Sequence, residues 1–254
     1  MFKALVFGDL PIASEVCQMI IDNEQCQLVG VVIGNEDPKN NDPFINTPIL
    51  QEYAETNGIP IFELSELPAL FEKDSLDFGV CARFSKILKK QHIDIFNFGV
   101  INFHGGLLPE YAGLYSVNHA LLNNEVKSGG TIHWIDEGID TGEIIKRCEF
   151  DISSIDTASS VFKKTQTALL EGLKSIFNDL LESDFKFKED SVNNKSKAGY
   201  YNKKSLENKK EVDLNKLIAG DRSELNRIRA FDFPGYEPAY IIINDVKVYL
   251  RFTS

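Results

Sequence analysis

Short apolar runs alternate with helix-spaced segments over the first 150 residues, and no other feature restricts the fold of this chain as strongly. Residues 2–7, 28–33, 59–62, 78–81 and 100–103 read as strands, each short and rich in apolar side chains. Between them, residues 12–23 place Ala13, Val16, Ile20 and Ile21 on one helical face. Thr47-Pro48 opens a further helix as N-cap and first-turn proline. Residues 65–71 and 85–92 read as shorter helices, and residues 34–46, rich in Gly, Asn, Asp and Pro, as a loop. This alternation calls for crossovers, which build a parallel-rich sheet wrapped by helices, an α/β Rossmann-like architecture. The first turn, Gly8-Asp9-Leu10-Pro11, lacks G-x-G-x-x-G, which argues against a dinucleotide there.

Chemistry concentrates between residues 102 and 142. Asn102 and His104 follow Gly99-Val100-Ile101 and run into Gly105-Gly106. Residues i and i+2 of a strand share a face, so an amide and an imidazole project together at the strand's carboxyl end. Ligand crevices of open α/β sheets lie at that end. Alone, the pair also fits an ordinary loop histidine beside a strand-end amide. A second element adds to it. Residues 131–134 alternate as a strand, and Glu137-Gly138-Ile139-Asp140-Thr141-Gly142 forms a tight loop before Glu143-Ile144-Ile145. Gly138 and Gly142 are expected to supply positive φ. Asp140 between them has no helix to cap. An oxyanion donor, a base and a carboxylate to orient the base are what acyl transfer to an amine requires.

The pattern Asn-x-His, Leu108-Pro109, then Asp-x-Gly-x-Asp-x-Gly at residues 136–142 closely resembles the 10-formyltetrahydrofolate-dependent formyltransferases. That family acts on methionyl-tRNA, glycinamide ribonucleotide and nucleotide-linked amino sugars. The likeness runs from residue 1 to about residue 181. It implies a catalytic trio of Asn102, His104 and Asp140. It also implies a folate site formed by Cys81, Ala82, Arg83 and Phe84 with Asp136, Glu137, Gly138 and Ile139. On the acceptor side it implies Asp9 in the first loop and Tyr111 in Pro109-Glu110-Tyr111-Ala112-Gly113. Many relatives carry Pro-Ser after the histidine; Gly105-Gly106 here implies a looser backbone, with Gly105 on the substrate side.

Asp156-Thr157 caps a long helix whose residues Leu169, Leu173, Ile176, Phe177, Leu180 and Leu181 make one apolar face. Residues 183–199, mostly polar, read as a linker, so the expected division is a catalytic domain over 1–182 and a small module over 200–254. The module offers Tyr200-Tyr201, a helix near residues 223–231, Phe233-Pro234-Gly235-Tyr236, and strands at 239–243 and 246–252 joined by Asn244-Asp245. These aromatics suit a small core. They also resemble the shortened C-terminal module of nucleotide-sugar formyltransferases, in which Tyr201 and Phe233 would meet the substrate. The likeness implies a homodimer that formylates a nucleotide-linked, dTDP-linked 3- or 4-amino-dideoxyhexose for O-antigen or related glycan biosynthesis. Other readings are another folate-dependent formyltransferase, a formyltetrahydrofolate hydrolase, or a non-catalytic Rossmann-like binding domain.

Charge and cysteine use narrow the partners. With 27 Lys and Arg against 38 Asp and Glu the net charge is −11, poorly suited to a nucleic-acid partner, whose binding depends on displacing counterions with basic groups. A diphosphate carrier would need local cations, with Lys3, Arg83 and Lys203 as candidates. No apolar run reaches the ~20 residues of a membrane helix, and no signal peptide precedes the first strand. Cys17, Cys26, Cys81 and Cys148 are scattered, without metal-ligand spacing, as expected for thiols in a reducing cytoplasm. No metal is expected. His119 and His133 read as structural.

Overall fold

A computed structural model describes residues 1–34, 42–188 and 198–252. Its centre is a seven-stranded sheet in the order β3-β2-β1-β4-β5-β7-β8. Strands β1 (Phe2–Gly8), β2 (Cys26–Ile33), β3 (Ile61–Phe62), β4 (Leu76–Ala82) and β5 (Phe96–His104) are parallel. The chain then folds back, so that β7 (Lys127–Trp134) runs antiparallel to β5, and β8 (Ile144–Asp151) antiparallel to β7. The sheet is therefore mixed, parallel through its first five strands and antiparallel at one edge.

Both faces are covered, as the near-continuous apolar strands require. On one face α1 (Pro11–Ile21), α2 (Leu50–Asn57) and α6 (Ala158–Glu182) bury Val16, Ile20, Leu50, Leu169, Leu173 and Phe177 against Val6, Phe78 and Val80. All six apolar positions of the long-helix stripe are buried. Thr157 caps that helix, its hydroxyl accepting from the Ser160 amide. On the other face α3 (Leu67–Leu70) and α4 (Lys90–Ile93) close over Leu5, Phe7 and Val100.

Helix α5 (Ser116–Leu122) lies between β5 and β7, preceded by the two-residue β6 (Ala112–Gly113). The tail comprises β9 (Tyr200–Tyr201), α7 (Leu214–Ile218), α8 (Arg222–Ala230) and the hairpin β10 (Tyr240–Ile243) and β11 (Val246–Tyr249). Asn244 and Asp245, which join the hairpin, both take positive φ, 46° and 62°. A third core joins Val212, Ile228, Phe231 and Ile241 of the tail to Leu121, Ala158 and Val161 of α5 and α6. Arg229, only 4% exposed, donates to the Ser153 and Asp156 carbonyls and to Asn226 Oδ1. Strand β9 pairs in parallel with β6, which ties the tail to the segment just beyond His104.

Several sequence expectations shift. The second helix starts at Leu50 with Ile49 as its N-cap, not at Thr47-Pro48. Those two residues bond α1 instead: the Thr47 hydroxyl donates to Glu15, and the Pro48 carbonyl accepts from Ser14 Oγ. Of the helix expected over 85–92 only α4 forms, because Ser85 is held by Asp9 and Lys86 by the Ile33 carbonyl. Helix α7, capped by Asp213, was not among the expected elements; its Leu214, Leu217 and Ile218 stand at helical spacing, but none of its residues is buried. Within the stretch read as a linker, Phe185 is buried and stacks on Phe98 at 4.9 Å; residues 189–197 lie outside the described residues. All four cysteines are buried and unpaired with one another, and burial pushes the Cys17 and Cys81 thiols up. Among the described residues no helix is long and apolar enough to cross a membrane.

Candidate active site

Because β1, β4 and β5 are parallel, Gly8, Ala82 and His104 reach the same edge of the sheet. Register then aligns Phe7, Cys81, Asn102 and His133 in one row across four strands. The antiparallel return of β7 sets Thr131 opposite His104 and His133 opposite Asn102. A cluster of side chains thus forms from two strands and the loop after β7, which carries Asp140.

That loop is built differently from the sequence expectation. Positive φ falls on Asp140 itself, at 54°, and not on Gly138 or Gly142. Aspartate is among the few residues that tolerate this region. The glycines serve close approach instead. A Cβ at Gly142 would strike the Trp134 carbonyl, and one at Gly138 the Thr141 side chain. Asp136 Oδ1 closes the loop by accepting from the Gly138 amide at 2.9 Å and from Thr141 Oγ1 at 2.7 Å.

Asp140 is pinned where it can act on an imidazole. Its Oδ2 accepts from the Gly113 amide at 2.8 Å and lies 3.3 Å from His104 Nδ1; Oδ1 lies 3.7 Å from His133 Nε2. His104 is 7% exposed, and its Nε2 sits 2.7 Å from the Tyr111 carbonyl, which also accepts from Ser116 Oγ at 3.0 Å. A carbonyl can only accept, so Nε2 carries hydrogen and donates. Nδ1 is then the nitrogen left without hydrogen, with the Asp140 carboxylate 3.3 Å away to orient the ring. This is the arrangement of a general base. Asn102 Nδ2 lies 3.0 Å from His133 Nε2, and His133 Nδ1 lies 2.8 Å from the Trp134 carbonyl.

Residues 3–176 match the formyl transferase family. The chain belongs to that family. Its curated relatives include methionyl-tRNA formyltransferases of Clostridioides difficile (32% identical over 177 residues, 68% of this chain) and Elusimicrobium minutum (30% over 165 residues, 64%). The chain spans 57% and 49% of the lengths of those two proteins. Solved structures match it nearly end to end. The N-formyltransferase of Helicobacter canadensis, in complex with folinic acid and dTDP-3-aminofucose, is 25% identical with a TM-score of 0.75, covering 98% of this chain and 86% of that one. WlaRD, a sugar 3N-formyl transferase solved with dTDP and 5-N-formyl-THF, is 27% identical with a TM-score of 0.69, covering 98% and 85%. A 4-N formyltransferase of Francisella tularensis shares the fold at 21% identity and a TM-score of 0.77, covering 100% and 98%.

Within this family member, the other expected site residues fall into place unevenly. Cys81 and Ala82 are buried at the end of β4; Arg83 follows at φ 61°, its guanidinium 5.3 Å from the centre of the Phe162 ring, and Phe84 packs edge-on to Phe7. Asp136, Glu137, Gly138 and Ile139 are exposed. Asp9 is buried and accepts from Ser85 Oγ at 3.3 Å. Gly105 borders open space, for a Cβ there meets nothing within 4 Å. Gly106 corrects the expected looseness: a Cβ there would press on Ser116 and on the Tyr111 carbonyl, so close packing demands glycine.

Tyr111 contributes its backbone to His104, while its hydroxyl donates to Glu125 at 2.7 Å; burial pushes that phenol's pKa up. The Tyr201 ring stacks on His119 at 3.8 Å and on Tyr111 at 5.7 Å, leaving Tyr200 as the exposed member of the pair. Phe233 packs edge-on to both Phe162 and Tyr236. Of the three candidate cations, Arg83 stands at the carboxyl-terminal edge of the parallel strands. Lys3 sits at the opposite end of β1, and Lys203 is exposed just after β9.

Thr131 and Ser116 escaped the sequence reading, and His133 was read as structural. Thr131 Oγ1 donates to the Gly106 carbonyl at 2.7 Å and accepts from the Leu108 amide at 3.0 Å, holding the turn after His104. Ser116 supports the Tyr111 carbonyl, and His133 meets Asn102. Thr131 and His133 are two apart on a strand, so the period-two argument that joined Asn102 to His104 joins them as well. What it lacks is the partner strand, which only the fold supplies.

Proposed function

We propose that this chain is a sugar N-formyltransferase, moving formyl from 10-formyltetrahydrofolate to the amine of a dTDP-linked 3- or 4-amino-dideoxyhexose for O-antigen or related glycan biosynthesis. The observation that carries the chemistry is His104, with Nε2 committed to the Tyr111 carbonyl and Nδ1 3.3 Å from Asp140. Asn102, His104 and Asp140 are the catalytic residues of this reading. The neutral amine attacks the formyl carbon, and Asn102 Nδ2 donates to the oxygen as it becomes an oxyanion. His104 Nδ1 receives the amine proton, and Asp140 stabilises the imidazolium. As the tetrahedral carbon collapses, the bond to the folate nitrogen breaks and that nitrogen takes the proton.

The folate would rest on Cys81, Ala82, Arg83 and Phe84 and on the exposed loop Asp136, Glu137, Gly138 and Ile139, which frame the row containing Asn102. Asp9, Gly105, Tyr111, Tyr201 and Phe233 form the acceptor side, with Gly105 opening it beside His104. Arg83 supplies positive charge there. Residues 1–182 make the catalytic domain and 200–254 the acceptor module of this reading, working in the cytoplasm.

Support for a sugar acceptor comes from the tail. The match to the Helicobacter canadensis enzyme takes in the tail, spanning 98% of this chain. A net charge of −11 also disfavours a polyanion. Incubated with 10-formyltetrahydrofolate, the protein is expected to release tetrahydrofolate with dTDP-linked 3- or 4-amino sugars and to leave initiator methionyl-tRNA unformylated. Product mass decides the assay. Turnover on tRNA, or on no amino sugar, sinks the assignment.

The homodimer of this reading would form through the tail hairpin. Ile242, Ile243, Val246, Val248 and Tyr249 are exposed there, on a two-stranded sheet too small to be stable alone. Exposed apolar edges of this kind template pairing with another chain. Light scattering on a sizing column should give a dimer mass, and Val246→Glu combined with Val248→Glu a folded monomer. A monomeric parent protein would rule the hairpin interface out.

A further inference from the structure

We infer that His133 is a positioning residue that selects which end of the Asn102 amide faces the reacting formyl group; this rests on the formyl-transfer reading above. An asparagine can present either its amino group or its carbonyl oxygen, and only the amino group can stabilise an oxyanion. Nothing in Asn102 alone makes the choice. His133 makes it through its own tautomer.

The argument is one of donors and acceptors. His133 Nδ1 lies 2.8 Å from the Trp134 carbonyl, which can only accept, so Nδ1 carries hydrogen. In the neutral ring Nε2 is then a bare lone pair, and it lies 3.0 Å from Asn102 Nδ2. A lone pair requires a donor opposite it, so Asn102 turns its amino group inward and keeps its second N–H for the cleft. Flipped, the amide would set Oδ1 against the Nε2 lone pair, acceptor against acceptor, so the contact with His133 holds the unflipped orientation. Register makes the contact unavoidable, since Asn102 and His133 are opposite residues of the β5–β7 pair.

The neutral ring is itself protected. His133 is buried, and desolvation with the nearby His104 lowers its pKa, against the opposing pull of the Trp134 carbonyl, Asp140 and Asp136. Were Nε2 protonated, it would turn its hydrogen on Asp140 Oδ1, 3.7 Å away, and lose Asn102. His104 and His133 thus share one carboxylate, Asp140 Oδ2 facing the first ring and Oδ1 the second.

The test uses the full-length protein, 10-formyltetrahydrofolate and dTDP-3-aminofucose. His133→Leu should lower kcat about 10- to 100-fold while both KM values stay within about twofold, the pattern of a lost transition-state interaction. His133→Gln, whose carbonyl can accept from Asn102, should recover most of the rate. Adding His133→Leu to Asn102→Ala should cost nothing further, because the histidine acts through the asparagine. Multiplying losses, or a His133→Leu enzyme as fast as the parent, overturns the inference. Circular dichroism establishes that each variant is folded. Should His133→Leu not fold, His133→Gln and long-range ¹⁵N–¹H spectra of the parent decide: protonated Nδ1 with bare Nε2 is expected, and an Nε2–H tautomer overturns the proposal. An Asn102→Ala enzyme of undiminished rate, or a parent enzyme inert towards every amine, refutes the catalytic reading instead, while the tautomer still decides the contact.

Discussion

Replacing His104 with asparagine is expected to slow formyl transfer by about 10²–10⁴-fold, the usual contribution of a positioned acid–base group. Affinity for 5-formyltetrahydrofolate, measured by calorimetry, should stay within about twofold of the parent protein. The split follows from the geometry. Asparagine can occupy the place of a side chain that is 7% exposed and donate to Asp140, but it has no nitrogen able to accept a proton. The assigned folate contacts belong to other segments, the end of β4 and the loop at residues 136–139. An unchanged kcat would remove His104 as the base. A collapse of folate affinity alongside an intact kcat would move it into the donor site.

Arg229→Leu is expected to destabilise the fold by about 3–5 kcal/mol, since three acceptors, two of them on the buried residues Asp156 and Asn226, lose a charged donor together. In a protein of this size that corresponds to a fall in Tm of about 10 °C, readable by scanning calorimetry. Two of those acceptors, the Ser153 and Asp156 carbonyls, lie just before α6, so the arginine fastens the tail to the start of the long helix. The Asp156 carboxylate there brings a pH dependence. Burial opposes its ionisation, but hydrogen bonds from Lys164, Ser153 and Ser160 prevail and hold it at about 2 against an ordinary 3.8. A lowered folded-state pKa stabilises the protein above the unfolded value and is lost as pH falls through the folded one. The Tm gap between the parent and Asp156→Asn should therefore be full above about pH 4 and close towards about pH 2. A constant gap across that window would mean that the carboxylate is not what holds the junction.

The sequence carried the sheet and the pairing of Asn102 with His104 because both are written in local periodicity. Apolar runs announced β1, β2, β4 and β5, and residues two apart on one strand had to share a face. The helix boundaries at residues 47–50 and 85–92 were less legible, because tertiary bonds from Ser14, Glu15 and Asp9 recruit residues with good local helix signals. The reason for Gly138 and Gly142 was also hidden. Close approach to Trp134 and Thr141 is a property of the closed loop, whereas positive φ is a property of a single residue. His133, read only as structural, was the least legible residue of the cluster. Its role depends on the register between β5 and β7, which no one-dimensional pattern contains.

The two-residue pairing of β9 with β6 has a consequence for engineering. Gly113, whose amide holds the Asp140 carboxylate, is the residue that registers with Tyr201 of the tail. A Cβ on Gly113 would collide with the Tyr201 carbonyl, so the two backbones sit against each other without slack. In the proposed reading, recognition and turnover therefore share a hinge point. Grafting the tail of another family member onto residues 1–182 to retarget the enzyme would also re-seat the amide that steadies the catalytic carboxylate. Chimaeras that carry residues 109–115 along with the donor tail, keeping both halves of that pairing from one parent, are the ones whose turnover should survive the exchange.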